Sequence, residues 1–165
     1  MAKYANIKYC DVANGTGIRT SVFISGCTHK CKNCFNEVAW DFNYGEELTA
    51  SIITDIINSA EPEYIDGITL LGGDPLCGDD NQVASHALCH MFKSRFPNKT
   101  IWLYTGYLYD QIKDLPVMEH VDVLVDGPYV DARRNLMLKF RGSENQRLID
   151  VKQSREQDKI VLLDI

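Results

Sequence analysis

The sequence lacks a long apolar run: none of its 165 residues belongs to a stretch that approaches the ~20 apolar residues needed to span a bilayer. Its first residues, MAKYANIKYC, contain no apolar signal core, which argues against secretion. Internal repeats, low-complexity segments and linkers rich in Pro, Gly or Ser are also missing. These absences predict a cytoplasmic protein that makes no membrane contact and folds as a single domain over residues 1–165.

Positive charge is in short supply. Seventeen Lys and Arg residues against twenty-three Asp and Glu residues give a net charge of −6, the wrong sign for a general nucleic-acid binder. The charge is uneven, because residues 131–159 carry eight basic and five acidic residues. This basic segment is either a solvated charged face or a docking surface for a partner or an anionic group.

Strand-like and helix-like segments alternate along the chain. Apolar, β-branched runs that end at Gly, Thr or Asp predict strands at residues 18–25, 67–71, 100–105 and 121–125. Between them, helical spacing predicts helices at residues 48–60, with Thr49 as the cap, around 83–92 and at 108–115. Beyond Pro128 the pattern fades into a loop, with weaker strand signals at 147–151 and 160–163.

This alternation is typical of an α/β fold with a mostly parallel sheet built from βα units. A complete eight-unit barrel takes about 250 residues, so this chain is too short to close one. We therefore expect an open partial (β/α) barrel. Its ligands should bind where the strands have their C-terminal ends.

Three of the six cysteines, Cys27, Cys31 and Cys34, have the spacing C-x3-C-x2-C directly after the first predicted strand. In a reducing compartment, thiols this close indicate a metal centre. A structural zinc site would need a fourth ligand such as His29 or Cys10. A four-iron cluster held by three cysteines leaves one iron open to a small molecule, and the spacing favours this alternative.

Four motifs carry a resemblance to a known family: GCTHKCKNCFN at residues 26–36, GGDPL at 72–76, DGPY at 126–129 and FRGSENQR at 140–147. The first resembles the radical S-adenosylmethionine (SAM) enzymes, in particular the glycyl-radical activating branch. The second is similar to that superfamily's Gly-Gly-Glu motif, with Asp in the acidic position. In this order the set resembles the branch that activates anaerobic (class III) ribonucleoside-triphosphate reductases, over most of the chain.

The resemblance implies a radical SAM type of fold and an oxidoreductase whose cluster and SAM carry the chemistry, with no acid–base residue. Cys27, Cys31 and Cys34 would ligate a [4Fe-4S] cluster, and SAM would chelate the fourth iron. One electron from the cluster would then cleave SAM to methionine and a 5′-deoxyadenosyl radical.

The residues that the resemblance places around SAM are Asn33, Cys34, Phe35, Gly72, Gly73, Asp74 and Arg141. Gly72 and Gly73 would let the backbone approach its methionine part, and Asp74 would accept hydrogen bonds from its ammonium group. Arg141 would meet a carboxylate of SAM or the backbone of a partner, or else be an ordinary exposed arginine. Asn33 stands where this branch often has Gly, but no iron ligand is missing.

The implied partner is the large subunit of an anaerobic ribonucleoside-triphosphate reductase, whose glycyl-radical loop would lose a Cα hydrogen. An electron donor such as reduced flavodoxin would also be needed. Two alternatives stay open: an activase of another glycyl-radical enzyme, of the formate-lyase type, and a non-catalytic zinc-binding interaction module.

Overall fold

One seven-stranded sheet organises the molecule in the computed structural model, which describes residues 1–34 and 37–165. Its strands are β1 (Lys3–Asp11), β2 (Arg19–Ile24), β3 (Glu46–Glu47), β4 (Gly67–Gly72), β5 (Thr100–Tyr104), β6 (Val123–Asp126) and β7 (Arg147–Asp150). The order across the sheet is β3-β1-β2-β4-β5-β6-β7. The four central strands, β2, β4, β5 and β6, are parallel to one another. On the flanks, the pairs β1–β2, β1–β3 and β6–β7 are antiparallel.

Helices connect the parallel strands: α1 (Ala50–Ser59), α2 (Asp79–Arg95) and the short α3 (Tyr109–Ile112), followed after β7 by α4 (Val151–Gln157). Helix α1 begins where Thr49 Oγ1 accepts a hydrogen bond from Ile52 N at 3.2 Å, which satisfies one free amide of the first turn. Helix α2 has Asp79 in its first turn and Arg95 in its last, each favoured by the helix dipole.

The two faces of the central sheet have different environments. Alternate residues such as Val22, Ile68 and Leu103 face α1 and α2 and form the main apolar core, together with Ile56 and Phe92. This arrangement follows from the two-residue period of strands. The opposite face has a smaller apolar cluster and carries the side chains that line the cavity described below: Phe23, Leu71, Tyr104 and Val125.

Most of the predicted elements are confirmed, with boundaries shifted by one to a few residues, including the helix capped by Thr49 and the strand near residues 147–151. The prediction of a strand at 160–163 is wrong, because Leu162 makes only an isolated bridge with Ile149. β1, which pairs with β2, was missed. Its residues are mixed in polarity and mostly half-buried or exposed, so they give no apolar signal.

The structure is α/β with a mostly parallel, open sheet, as predicted at that level. In the described residues 1–34 and 37–165 no helix has the length and apolar character to cross a membrane.

Candidate functional site

A cavity of about 740 Å³ lies at the C-terminal ends of the parallel strands. Each strand contributes the residues that follow it, because parallel strands end at the same edge of the sheet. Its walls include the thiols after β2, Gly72 and Gly73 at the end of β4, Gly106 after β5 and Gly127 after β6. The sheet thus brings together motifs that are far apart in the sequence.

The cysteine loop after β2 is held by backbone hydrogen bonds at both ends. Gly26 N donates to Ala39 O at 2.7 Å and Cys27 N to Trp40 O at 3.1 Å, while Cys34 N donates to Cys31 O at 3.2 Å. Lys30 and Asn33 have φ values of 50° and 57°, in the left-handed region that few non-glycine residues adopt. These tight turns allow all three motif cysteines to reach one cavity.

Cys27, Cys31 and Cys34 all line that cavity. Burial raises the pKa of the Cys27 thiol to about 11 and also raises the pKa of Cys31. Metal binding at such thiols releases protons, since the thiolate is the ligand. As the side chains stand, no three His, Cys, Asp or Glu residues within 1–34 and 37–165 are placed to hold a metal ion together. The donor set itself, three thiols that line one cavity, has the chemistry that an iron–sulfur cluster requires.

The glycine pair at the end of β4 is fixed by close packing. Gly72 has φ 119°, and a Cβ there would lie 2.5 Å from Ile24 N of the neighbouring strand. A Cβ on Gly73 would lie 2.4 Å from Ala39 O. Both residues also line the cavity, where a backbone without side chains can be approached closely by a ligand.

Asp74 follows the pair but is fully buried behind the cavity wall. Its Oδ1 accepts hydrogen bonds from Leu76 N at 2.9 Å and from the hydroxyl of Thr105 at 3.0 Å. Its Oδ2 accepts from Gly106 N at 2.9 Å and from His29 Nε2 at 2.7 Å. Both oxygens are therefore engaged within the protein, where the sequence predicted a contact with an ammonium group of SAM.

Arg141 lines the cavity from the loop between β6 and β7. Its Nε is buried and has no hydrogen-bond partner in residues 1–34 and 37–165. The loop is fixed by Gln146, whose Oε1 accepts from Gly142 N at 2.9 Å and whose Nε2 donates to Gly127 O at 3.2 Å. An unpaired buried donor is costly unless a ligand satisfies it. This atom therefore fits an anionic group such as a carboxylate.

The charge of the cavity agrees with that assignment. In the described part of the chain, its charged lining residues are Arg141 and Lys8, and both are cationic. An acidic protein thus presents a locally positive cavity, which favours a ligand that carries a carboxylate.

Two other predicted residues stand differently. Asn33 is exposed, and its amide donates to Asp131 at 3.0 Å, so it ties the cysteine loop to the segment after β6 instead of lining the cavity. Phe35 lies outside the described residues. Thr105 and Gly106 were not predicted as site residues, although a Thr-Gly pair that ends a buried strand is the kind of signal that could have revealed them.

Comparison with known proteins agrees with this geometry. Residues 13–149 match the family described as "4Fe-4S single cluster domain". The anaerobic ribonucleoside-triphosphate reductase-activating protein of Enterobacteria phage T4 is 42% identical over 147 residues, covering 88% of this chain and 92% of that protein. The protein of the same name from Escherichia coli K12 is 37% identical over 140 residues, covering 82% and 90%.

The chain belongs to the family of anaerobic ribonucleoside-triphosphate reductase-activating proteins. Membership confirms the resemblance inferred from the four motifs. The match to a 4Fe-4S domain also confirms the expectation of an iron–sulfur cluster and supports it over a zinc module.

Proposed function

We propose that this chain activates an anaerobic ribonucleoside-triphosphate reductase by installing a glycyl radical on it. The observation that carries the proposal is that Cys27, Cys31 and Cys34 share one cavity with Gly72–Gly73 and the unpaired Nε of Arg141. The relatives from phage T4 and E. coli are named as activating proteins of anaerobic ribonucleoside-triphosphate reductase. When bound, a [4Fe-4S] cluster supplies the electron that cleaves SAM to methionine and a 5′-deoxyadenosyl radical.

Each part of the cavity has a role in this proposal. The three thiols would hold the cluster. The backbone at Gly72 and Gly73 would contact the methionine part of SAM, and Arg141 would pair with its carboxylate. Asp74, which is fully buried, fixes residues of the cavity wall through its hydrogen bonds with His29 and Gly106. In this proposal the α/β fold is an open partial (β/α) barrel of the radical SAM type. The chain acts as one domain, in the cytoplasm.

The partner surface in this proposal is the segment between β6 and β7. Leu136 and Met137 are 76% and 89% exposed, and Arg133, Arg134 and Lys139 beside them are exposed too. The same segment lines the cavity through Asn135, Leu136 and Leu138. A surface continuous with the cavity is where the glycyl-radical loop of the reductase must enter. An electron donor such as reduced flavodoxin completes the set of partners.

The test is anaerobic reconstitution with iron and sulfide, followed by dithionite and SAM. We expect about four irons per chain and release of 5′-deoxyadenosine. Cys31→Ala should abolish the release, whereas Cys10→Ala, an exposed cysteine outside the motif, should leave it intact. Tightly bound zinc, with no iron uptake and no cleavage product, would contradict the proposal and leave the zinc-binding module.

A second experiment tests the partner surface. Reversing the charges of Arg133, Arg134 and Lys139 should preserve SAM cleavage in the absence of the reductase but reduce glycyl-radical formation on it. The matched control reverses Lys113, Arg155 and Lys159, which line a separate groove. Equal activation by both triple variants would count against docking at residues 131–146.

A further inference from the structure

Among the described residues between the cysteines, His29 differs from its neighbours because its side chain is directed into the protein. Thr28 and Lys30 on either side of it are exposed, whereas the side chain of His29 is only 18% exposed. Its Nε2 lies 2.7 Å from Asp74 Oδ2. Because a carboxylate accepts only, the Nε2–H donates this bond.

The carboxylate that His29 meets is a junction of the sheet edge. Asp74 follows β4, and its oxygens also accept from Thr105 and from Gly106 N, which follow β5. Asn81 Nδ2 of α2 donates to the Asp74 carbonyl at 3.1 Å. A group that binds Asp74 is therefore held in a fixed position relative to β4, β5 and α2.

Packing strengthens this link. The rings of His29 and Tyr107 meet edge to face with centroids 4.6 Å apart. A Cβ on Gly106 would lie 2.6 Å from His29 Cδ2, so the imidazole rests directly on the backbone after β5. The bond and both contacts restrict the ring to one position.

We propose that His29 is a positioning residue that fixes the cysteine loop on the ends of β4 and β5. It thereby sets the place of the cluster relative to the backbone at Gly72 and Gly73. This inference rests on the proposed function. Its physical basis is that a loop with two left-handed residues needs tertiary contacts to stay in place. A displacement of about 1 Å near reacting groups costs on the order of 100-fold in rate.

The experiment compares His29→Ala and His29→Gln with Lys32→Ala, an exposed residue of the same loop. Each reconstituted protein is assayed for iron content, for the Kd of SAM, and for the change in the electron paramagnetic resonance spectrum of the reduced cluster on SAM addition. In the metal-free proteins, hydrogen exchange is measured at the amides of residues 28–34. Circular dichroism checks folding.

We expect His29→Ala to bind iron, because all three cysteines remain. Its Kd for SAM should rise, on the order of the 10- to 100-fold loss of metal affinity or activity that follows removal of a group orienting metal ligands. The spectral change on SAM addition should differ from the wild type, and loop amides should exchange faster in the metal-free protein. Gln can still donate to Asp74 but cannot pack like the ring. The Kd for SAM of His29→Gln should therefore lie between those of His29→Ala and Lys32→Ala.

Wild-type Kd, spectrum and exchange in both His29 variants would overturn the inference. Should His29→Ala fail to fold, the decision passes to His29→Gln, whose Kd for SAM must still exceed that of Lys32→Ala. A wild-type chain that takes up no iron and leaves SAM intact defeats the proposed function instead. The two failures are thus distinguishable.

Discussion

The guanidinium of Arg147 donates two hydrogen bonds to the carboxylate of Asp126, from Nε to Oδ1 at 3.0 Å and from Nη2 to Oδ2 at 2.6 Å. Asp126 is fully buried, and Tyr109 N also donates to its Oδ2 at 2.9 Å. The pair joins β6 to β7 and therefore connects the DGPY and FRGSENQR motifs. It anchors the loop that carries Arg141 into the cavity.

Arg147→Ala should lower the free energy of unfolding by about 1.5–3 kcal/mol, because it leaves the buried Asp126 carboxylate without its charged partner. Urea denaturation of the metal-free protein measures the change. Arg155→Ala, at an exposed position on α4, is the control and should stay close to the wild type. Equal stability of the two variants would show that the pair contributes nothing to the fold.

Gly72→Ala should destabilise the protein by about 3 kcal/mol, since strain at a positive φ adds to a clash of the new Cβ with Ile24. Gly78→Ala is the matched control: its φ is also positive, at 84°, but the nearest atom to its Cβ is 3.6 Å away, in Phe42. We expect this control to lose less, about 1–2 kcal/mol, because it has backbone strain at φ 84° and ψ 157° without the clash. Thermal or urea unfolding distinguishes the two; similar losses would mean that packing on Ile24 is unimportant.

Arg141→Gln should raise the Kd of SAM about 10- to 100-fold while leaving the iron content unchanged, because it removes the buried cationic donor but no cysteine. Equilibrium binding to the reconstituted protein provides the measurement. Arg133→Gln, an exposed arginine of the same segment, should bind SAM normally. An unchanged Kd in Arg141→Gln would remove Arg141 from the SAM site.

The rings of His86, His90 and His120 cluster between α2 and the turn Pro116–Glu119, with centroids 5.3–6.0 Å apart. Burial, followed by the two neighbouring imidazoles and Lys93, lowers the pKa of His120, against a smaller opposing effect of Glu119. The folded protein therefore holds this proton less tightly than the unfolded chain does.

Stability should consequently fall as the pH drops below about 6.5, the ordinary pKa of His, because the unfolded chain then binds more protons. His120→Gln should weaken this pH dependence. Urea denaturation from about pH 5 to pH 8 measures the slope. An identical slope in wild type and variant would contradict the contribution of His120.

Local sequence signals were enough for much of the fold and for the candidate cysteine loop. The spacing of Cys27, Cys31 and Cys34 and the apolar runs of β2, β4, β5 and β6 are contiguous in the chain, and each has a direct physical consequence. Strands that alternate with helices pair in parallel, which alone predicted that motifs at strand ends would meet. β1 escaped prediction because its residues are mixed in polarity and mostly half-buried or exposed, so they carry no apolar pattern.

Tertiary structure decided what each motif residue contacts. Asp74, Asn33 and His29 have side chains that can serve a ligand or the protein equally well, and sequence spacing does not distinguish the two. The fold turns Asp74 into a buried junction, directs Asn33 to Asp131 and points His29 inward, while it leaves Arg141 Nε unpaired in the cavity. The direction of a side chain depends on neighbours that are distant in sequence. The sequence by itself therefore determined the cysteine spacing and the parallel centre of the sheet, and only packing decided which polar groups remain available to a ligand.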